Sequence, residues 1–323
     1  MQYEETGRII RAVGGLFEVA LDAGETPLSG RLVAARAKGN FRHAGVTPLP
    51  GDRVRLSFGE VAVALEESAS ADGGDAVIAE IMERKNALIR PPMANLDVLF
   101  VTLAAADPAP VPETVDKLIS IAEFNRIEPV LIVTKSDVAP EAARAFAEIY
   151  ERAGFHVFLL SAKAGDGIDA LRSYMHESMT GRIAAFAGAS GVGKSTLLNA
   201  LFPSLSLQTG EISHKIARGK HTTRRVQLYP MDGAENAYIA DTPGFSMLDF
   251  VRFDFFKKED LPETMREFLP FIGECRYTKC SHTKDEGCAI LQAVRDGVIP
   301  QTRHDSYCAM YEALKNKHDW SKK

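Results

Sequence analysis

Two short segments carry most of the chemistry that can be read from this chain, and they stand in an unexpected order. Gly188-Ala189-Ser190-Gly191-Val192-Gly193-Lys194-Ser195 fits G-x-x-x-x-G-K-[ST], a phosphate loop whose glycines let backbone N–H groups close on nucleotide phosphates. Lys194 is placed to reach the β- and γ-phosphates, Ser195 to offer a hydroxyl to Mg²⁺, and Thr196 follows in the same turn. The second segment, Thr134-Lys135-Ser136-Asp137, comes earlier. Its Asp137 can accept hydrogen bonds from the N1–H and exocyclic amine of guanine, a donor pair that adenine lacks. Ser161-Ala162-Lys163 can back the same base with a main-chain N–H.

A third element, Asp241-Thr242-Pro243-Gly244, ends another apolar run, Ala237-Tyr238-Ile239-Ala240. Asp241 can hold the magnesium shell there, and Gly244 can approach the γ-phosphate. Alone, each of these short patterns is an ordinary surface turn. Together, after successive strands, they point to a GTPase.

These motifs need a sheet to hold them. Apolar runs Val98–Val101, Val130–Val133, Val157–Leu160 and Arg182–Ala187 alternate with helical stretches, one of which sets Val115, Leu118, Ile119 and Ala122 on one face. That alternation predicts a parallel sheet covered by helices. Residues 1–90 read instead as short strands and turns: Gly7–Val13, a Gly14-Gly15 turn, Leu16–Leu21, and the period-two run Arg53–Phe58. They suit an oligonucleotide-binding (OB-like) β-barrel and, equally, a β-barrel without a ligand. Arg36–His43 mixes cations with Phe41, which suits RNA phosphates and a stacked base, or a solvated loop. Ala69–Asp75 reads as a hairpin loop, and the linker falls near Arg90-Pro91-Pro92.

Beyond residue 250 the strands stop. Cys275, Cys280, His282 and Cys288 form C-x4-C-x-H-x5-C, enough for one tetrahedral zinc, although buried thiols beside a surface histidine would give the same pattern. Cys308 is the substitute ligand if His282 is not one. The predicted fold is multidomain α/β: a barrel over 1–90, a nucleotide domain over 91–250, and a mainly α, zinc-binding domain over 251–323.

The 323 residues exclude a single small module, and 46% hydrophobic with 25% charged residues is ordinary for globular chains. No apolar run approaches a membrane span, and the acidic start lacks a secretory signal, so the expected address is cytoplasmic. A formal charge of −5 excludes bulk attraction to nucleic acid and leaves RNA contact to local patches. Four cysteines in such a chain are better metal ligands than disulfides.

Ordinary GTPases run phosphate loop, switch threonine, D-x-x-G, N-K-x-D and S-A-K; here the last two come first, so the domain is circularly permuted. A permuted GTPase preceded by a β-barrel, carrying Gly219-Lys220-His221-Thr222-Thr223 and followed by C-x4-C-x-H-x5-C, resembles the ribosome small-subunit-dependent GTPase A family. The resemblance spans nearly the whole chain. It implies GTP hydrolysis to GDP, stimulated by the small ribosomal subunit and acting late in that subunit's maturation. The barrel and zinc domain would grip 16S-type rRNA, with no membrane involved and a monomer as the default. By the family pattern Thr223, rather than Thr222, is the switch threonine on Mg²⁺, within a segment from Ser204 to Arg224 that orders around the γ-phosphate.

The chain departs from the general GTPase pattern twice. Thr134 replaces the usual Asn, which weakens one contact to the base. Phe245 replaces the water-orienting glutamine, a hydrophobic substitution the family shares, so catalysis is assigned to His221; the competing reading is a histidine that docks the switch on RNA. The segment from Phe245 to about Phe256 leads into the zinc domain, where a γ-phosphate-dependent shift would reposition it. Other classes weighed are a kinase or ATPase, opposed by Asp137 and Ser161–Lys163; an RNA-binding scaffold with a structural nucleotide; and a large-subunit assembly factor.

Overall fold

The N-terminal strands alternate inward and outward residues and need a closed partner for their apolar faces. In the computed structural model, which describes residues 3–24, 26, 28–39, 41, 45–58, 76–203, 226–241 and 256–316, they find it by curling into a barrel. Its strands are β1 (Tyr3–Val13), β2 (Leu16–Leu21), β3 (Leu32–Ala37), β4 (Arg53–Phe58) and β5 (Ala76–Ile81). β6 (Ala87–Leu88) and β7 (Met93–Ala94) form a small antiparallel hairpin. The alternating domain follows as β8 (Val98–Ala104), α1 (Pro112–Phe124), β9 (Glu128–Thr134), α2 (Pro140–Arg152), β10 (His156–Leu159), α3 (Ile168–Ser178), β11 (Ile183–Ala187) and α4 (Lys194–Leu201). After β12 (Gln227–Pro230) and β13 (Tyr238–Asp241) come two 3₁₀ turns, Leu261–Thr264 and Arg266–Phe271, then α5 (Ala289–Arg295) and α6 (Gln301–Lys315).

The chain forms two compact units. The first takes the described residues of Met1–Asp97, Met179–Ala185 and Thr222–Gly244. Within it β1 pairs antiparallel with both β2 and β4, β2 with β3, β3 in parallel with β5, and β5 with β4, which closes a five-stranded OB-like barrel. A register shift between Ile9 and Arg11 supplies the bend that lets one strand serve two neighbours. Gly7 is required at the crossing, because a Cβ there would lie 2.5 Å from the Ala20 carbonyl oxygen. Ile9, Val19, Val54, Leu56 and Ile78 fill the interior. β1 also meets β12 at Arg11↔Gln227; β12 pairs with β13, and β13 runs parallel to Ile183–Ala185 of β11. The guanidinium of the buried Arg8 lies 5.5 Å from the Tyr238 ring centre.

Two sequence expectations change here. Arg90-Pro91-Pro92 is the turn of the β6–β7 hairpin rather than an open linker: proline is tolerated where a turn asks for no N–H, and Ala94 N–H returns to the Pro50 carbonyl at 2.9 Å. Arg36 and Ala37 still belong to β3, so the basic loop begins at Lys38; Asn40, Arg42 and His43, like the 69–75 loop, lie outside the described residues.

The second unit takes the described residues of Val98–Ser178, Phe186–His221 and Phe245–Lys323. β8, β9 and β10 are parallel, and β8 is buried along its whole length, as a strand covered on both faces must be. α1 buries Val115, Leu118, Ile119 and Ala122, the face its spacing predicted. Its other buried side meets the C-terminal helices: Ile121 joins a core of Leu261, Met265, Phe268, Ile290, Tyr307 and Met310. Each such side chain contributes about 1.5–3 kcal/mol.

Charge is buried there too. Arg303 of α6 and Asp116 of α1, each 0% exposed, form an ion pair, and Glu267 takes the rest of the guanidinium at 2.7 and 3.2 Å. Burial opposes charge on Arg303, but Asp116 and Glu267 overcome it and lift its pKa above the ordinary value. Tyr150 of α2 donates to Asp116 at 2.9 Å. Burying ions this deeply costs several kcal/mol each unless every partner is present.

Candidate functional site

The phosphate loop sits between β11 and α4. Gly188 has φ +147°, and a Cβ on it would fall 2.0 Å from the Thr102 carbonyl oxygen of β8, so only glycine lets the loop lie against that strand. Gly191 and Gly193 also take positive φ, and Gly193 caps α4. The loop thereby turns tightly enough for Lys194 to reach back, where its Nζ donates to the carbonyls of Gly188 (2.5 Å) and Ala189 (2.9 Å). Burial lowers the Lys194 pKa. Ser195 and Thr196 open the same helix.

Thr134 and Lys135 end β9 beside this loop. The buried Thr134 hydroxyl donates to the Val192 carbonyl at 2.5 Å, with the Leu103 carbonyl at 3.1 Å. Lys135, at φ +56°, sends its Nζ to the Gly191 carbonyl (3.1 Å) and to that of Asp107. Two consecutive residues, Thr134 and Lys135, thus hold two consecutive carbonyls of the Gly188–Ser195 loop, those of Val192 and Gly191. Thr134, whose replacement of Asn suggested a weakened base contact, spends its hydroxyl on the loop. Asp107 and Pro108 were not singled out from sequence; Pro108 Cδ would lie 3.8 Å from a Cβ on Gly191. The signal was a proline-rich run directly after a buried strand.

The other base element is tied to the first. Ser136 N–H donates to the Leu160 carbonyl at 3.1 Å, which sets the Asp137 turn against the end of β10. Ser161 is buried, its hydroxyl accepting from Ala164 N–H at 3.1 Å and its N–H donating to the Asp166 carbonyl at 3.0 Å, so Ser161-Ala162-Lys163 forms a closed turn. Thr134, Lys135, Asp137, Ser161–Lys163 and Gly188–Thr196 therefore share the second unit.

Asp241 closes β13 in the first unit, and burial raises its carboxyl pKa. His221, Thr222, Thr223, Gly244 and Phe245 lie outside the described residues, as does the Ser204–Arg224 segment.

In the C-terminal module Cys275, Cys280, His282 and Cys288 bring one ligand atom each within 4.8 Å of one another. Cys275 Sγ lies 3.5 Å from His282 Nδ1 and 3.8 Å from Cys288 Sγ, and Cys288 Sγ lies 3.6 Å from the same nitrogen. Tetrahedral zinc with bonds of about 2.3 Å to sulfur and about 2.0–2.1 Å to nitrogen has ligand-to-ligand edges of about 3.5–3.8 Å, the spacing of Cys275, His282 and Cys288, with Cys280 the fourth donor beside them. Burial, with Cys288 and Cys275 alongside, pushes the Cys280 thiol up to about 12; a bound cation would reverse that. Burial also lowers the His282 pKa, which favours the neutral imidazole that a ligand needs. His304 lies with Nε2 2.8 Å from the His282 carbonyl, and Tyr307 donates to the Ser281 carbonyl at 2.8 Å. Cys308 stands apart from the four, beside His304 at 3.7 Å.

The RsgA GTPase family model matches residues 81–251, and the RsgA N-terminal domain model matches residues 6–62. A small ribosomal subunit biogenesis GTPase RsgA from Caldanaerobacter subterraneus subsp. tengcongensis is 36% identical over 312 residues, covering 96% of each chain. Its namesake from Agathobacter rectalis is 37% identical over 320 residues, 98% of this chain and 100% of that one. Among solved structures, YjeQ from Thermotoga maritima superposes with TM-score 0.77 at 27% identity, covering 98% of this chain and 100% of the other. YloQ, described as a circularly permuted GTPase, gives 0.74 at 30%, covering 98% and 96%. With the Thr134–Asp137 and Ser161–Lys163 segments ahead of the phosphate-loop motif, a five-stranded barrel before them and a Cys₃His cluster after, this chain belongs to the RsgA GTPase family and is a circularly permuted GTP hydrolase.

Proposed function

We propose that this GTPase acts in late maturation of the small ribosomal subunit, its turnover stimulated by that subunit. The names carried by its relatives and the match along nearly the whole chain support the assignment. The observation that carries the nucleotide chemistry is the pair of bonds from Thr134 and Lys135 to Val192 and Gly191, which puts base reading and phosphate gripping on one frame. In this reading Asp137 selects guanine, Ser161–Lys163 back the base, and the backbone of Gly188–Gly193 cradles the phosphates. Lys194 leaves its loop carbonyls for the β- and γ-phosphates. The family pattern assigns Ser195, Thr223 and Asp241 to magnesium and Gly244 to the γ-phosphate. Magnesium, when bound, would supply positive charge against the negative charge that develops during phosphoryl transfer. His221 assists the attacking water.

The proposed division of labour follows the three blocks 1–90, 91–250 and 251–323. Cys275, Cys280, His282 and Cys288 hold one structural zinc. The barrel reads 16S-type rRNA in a groove of about 590 Å³ lined by Gly14, Gly15, Phe17, Lys38 and Phe41, where aromatic rings and a cation suit a stacked base and its phosphate. The protein works in the cytoplasm as a monomer. The deciding experiment is multiple-turnover GTP hydrolysis alone and with small or large subunits, with ATP as control. Stimulation by small subunits alone is expected; equal response to both, or to neither, rejects the ribosomal assignment.

A further inference from the structure

The buried charge cluster of the second unit does more than fill a core. α6 faces two ways. Toward the Cys₃His loop it offers His304 and Tyr307, bonded to the carbonyls of His282 and Ser281. Toward the nucleotide domain it offers Arg303, ion-paired with Asp116 of α1, and Met310, whose Sδ lies 3.8 Å from the Ser120 hydroxyl. Asp116 in turn accepts from Tyr150 of α2, and the Arg303 guanidinium lies 5.3 Å from the Tyr150 ring centre. A second strut runs alongside: Arg266 donates to Glu123 of α1 at 2.6 Å and to the Gly154 carbonyl just past α2 at 3.0 Å.

α1 leads into β9, β9 ends at Thr134, and α2 starts three residues after Asp137. The helix before the Thr134–Asp137 turn and the helix after it are therefore joined by the Tyr150–Asp116 bond, and the Arg303 guanidinium from the C-terminal module contacts both partners of that bond. An apolar replacement of a buried ion pair is often neutral for stability, whereas removing one partner leaves the other charge buried and unpaired. Here the geometry imposed is the α1–α2 spacing that frames the turn.

We infer that Arg303 is a positioning residue for guanine recognition: it acts through Asp116 and Tyr150 to hold the Thr134–Asp137 turn, making the metal-bearing C-terminal module a brace for the base site. This rests on the guanine-site reading above. The test is a ratio of affinities. Inosine diphosphate lacks the exocyclic amine that Asp137 is assigned to read, so GDP binding over inosine diphosphate binding reports how well the turn is set. In the full-length protein, Arg303→Met should reduce that ratio at least threefold, and Arg303→Lys, which keeps the charge, should restore part of it. Tyr150→Phe keeps the ring and loses only the bond to Asp116; it should reduce the ratio by a smaller factor, and it provides the measurement if Arg303→Met does not fold. A selective wild type with the ratio unchanged in every folded variant overturns the bracing role. A wild type that binds GDP no better than inosine or adenosine diphosphate overturns the guanine reading itself, and the brace with it.

Discussion

The buried Thr134 hydroxyl donates to the Val192 carbonyl at 2.5 Å, joining the end of β9 to the Gly188–Ser195 loop. Thr134→Val keeps the shape and removes the donor, leaving that carbonyl without this bond. A lost buried hydrogen bond costs about 1–3 kcal/mol, so GDP affinity should fall by roughly five- to 150-fold. Titration with a fluorescent GDP analogue measures it; unchanged affinity would mean the loop holds its form without Thr134.

Asp241 sets binding against stability. Burial raises its pKa, so the nucleotide-free fold prefers the protonated form. That contribution is complete below the ordinary carboxyl pKa and is lost as pH rises through the raised value. Asp241→Asn should melt with wild type in acid and above it at neutral pH, while losing magnesium-dependent GTP affinity. Melting curves at several pH values, with magnesium titrations at neutral pH, test both halves.

Metal removal should be felt in the fold. Elemental analysis is expected to give one zinc per chain, abolished in Cys288→Ala and retained in Cys308→Ala. Chelation should lower the melting temperature, because metal binding at such a site is folding free energy. Loss of zinc in the Cys308 variant would return that thiol to the ligand set.

His221 is assigned to catalysis because Phe245 cannot orient water. His221→Ala should lower subunit-stimulated turnover by at least about a hundredfold, the lower end for acid–base groups, and leave GTP affinity within twofold. Full turnover in the variant would reduce His221 to docking.

Much of this was legible in the residues. Glycine at 188, 191 and 193 announces the phosphate loop because all three take positive φ, and at Gly188 a Cβ would also collide with β8. The α1 face and the barrel strands follow from periodicity, which reports burial directly. What stayed hidden depends on partners distant in sequence. Arg303 reads as a surface cation on a polar helix until Asp116 and Glu267 are seen around it. Arg90-Pro91-Pro92 looks like a linker because proline marks turns and linkers alike. Thr134 gives no sign of its acceptor, since the loop it touches lies far along the chain.

The pairing of β1 with β12 has a meaning for synthesis. β1 can close against β2 and β4 as soon as the barrel emerges, but its partner at Gln227 is translated long after Arg11. Until then the outer rim of β1 near Arg11 presents unpaired backbone to the nascent chain's surroundings, a place where a chaperone or a neighbouring chain could add a strand. Arg11, partly exposed and ion-paired with Glu18 at 3.5 Å, puts charged side chains on that open rim, a device by which natural sheets discourage edge-to-edge association.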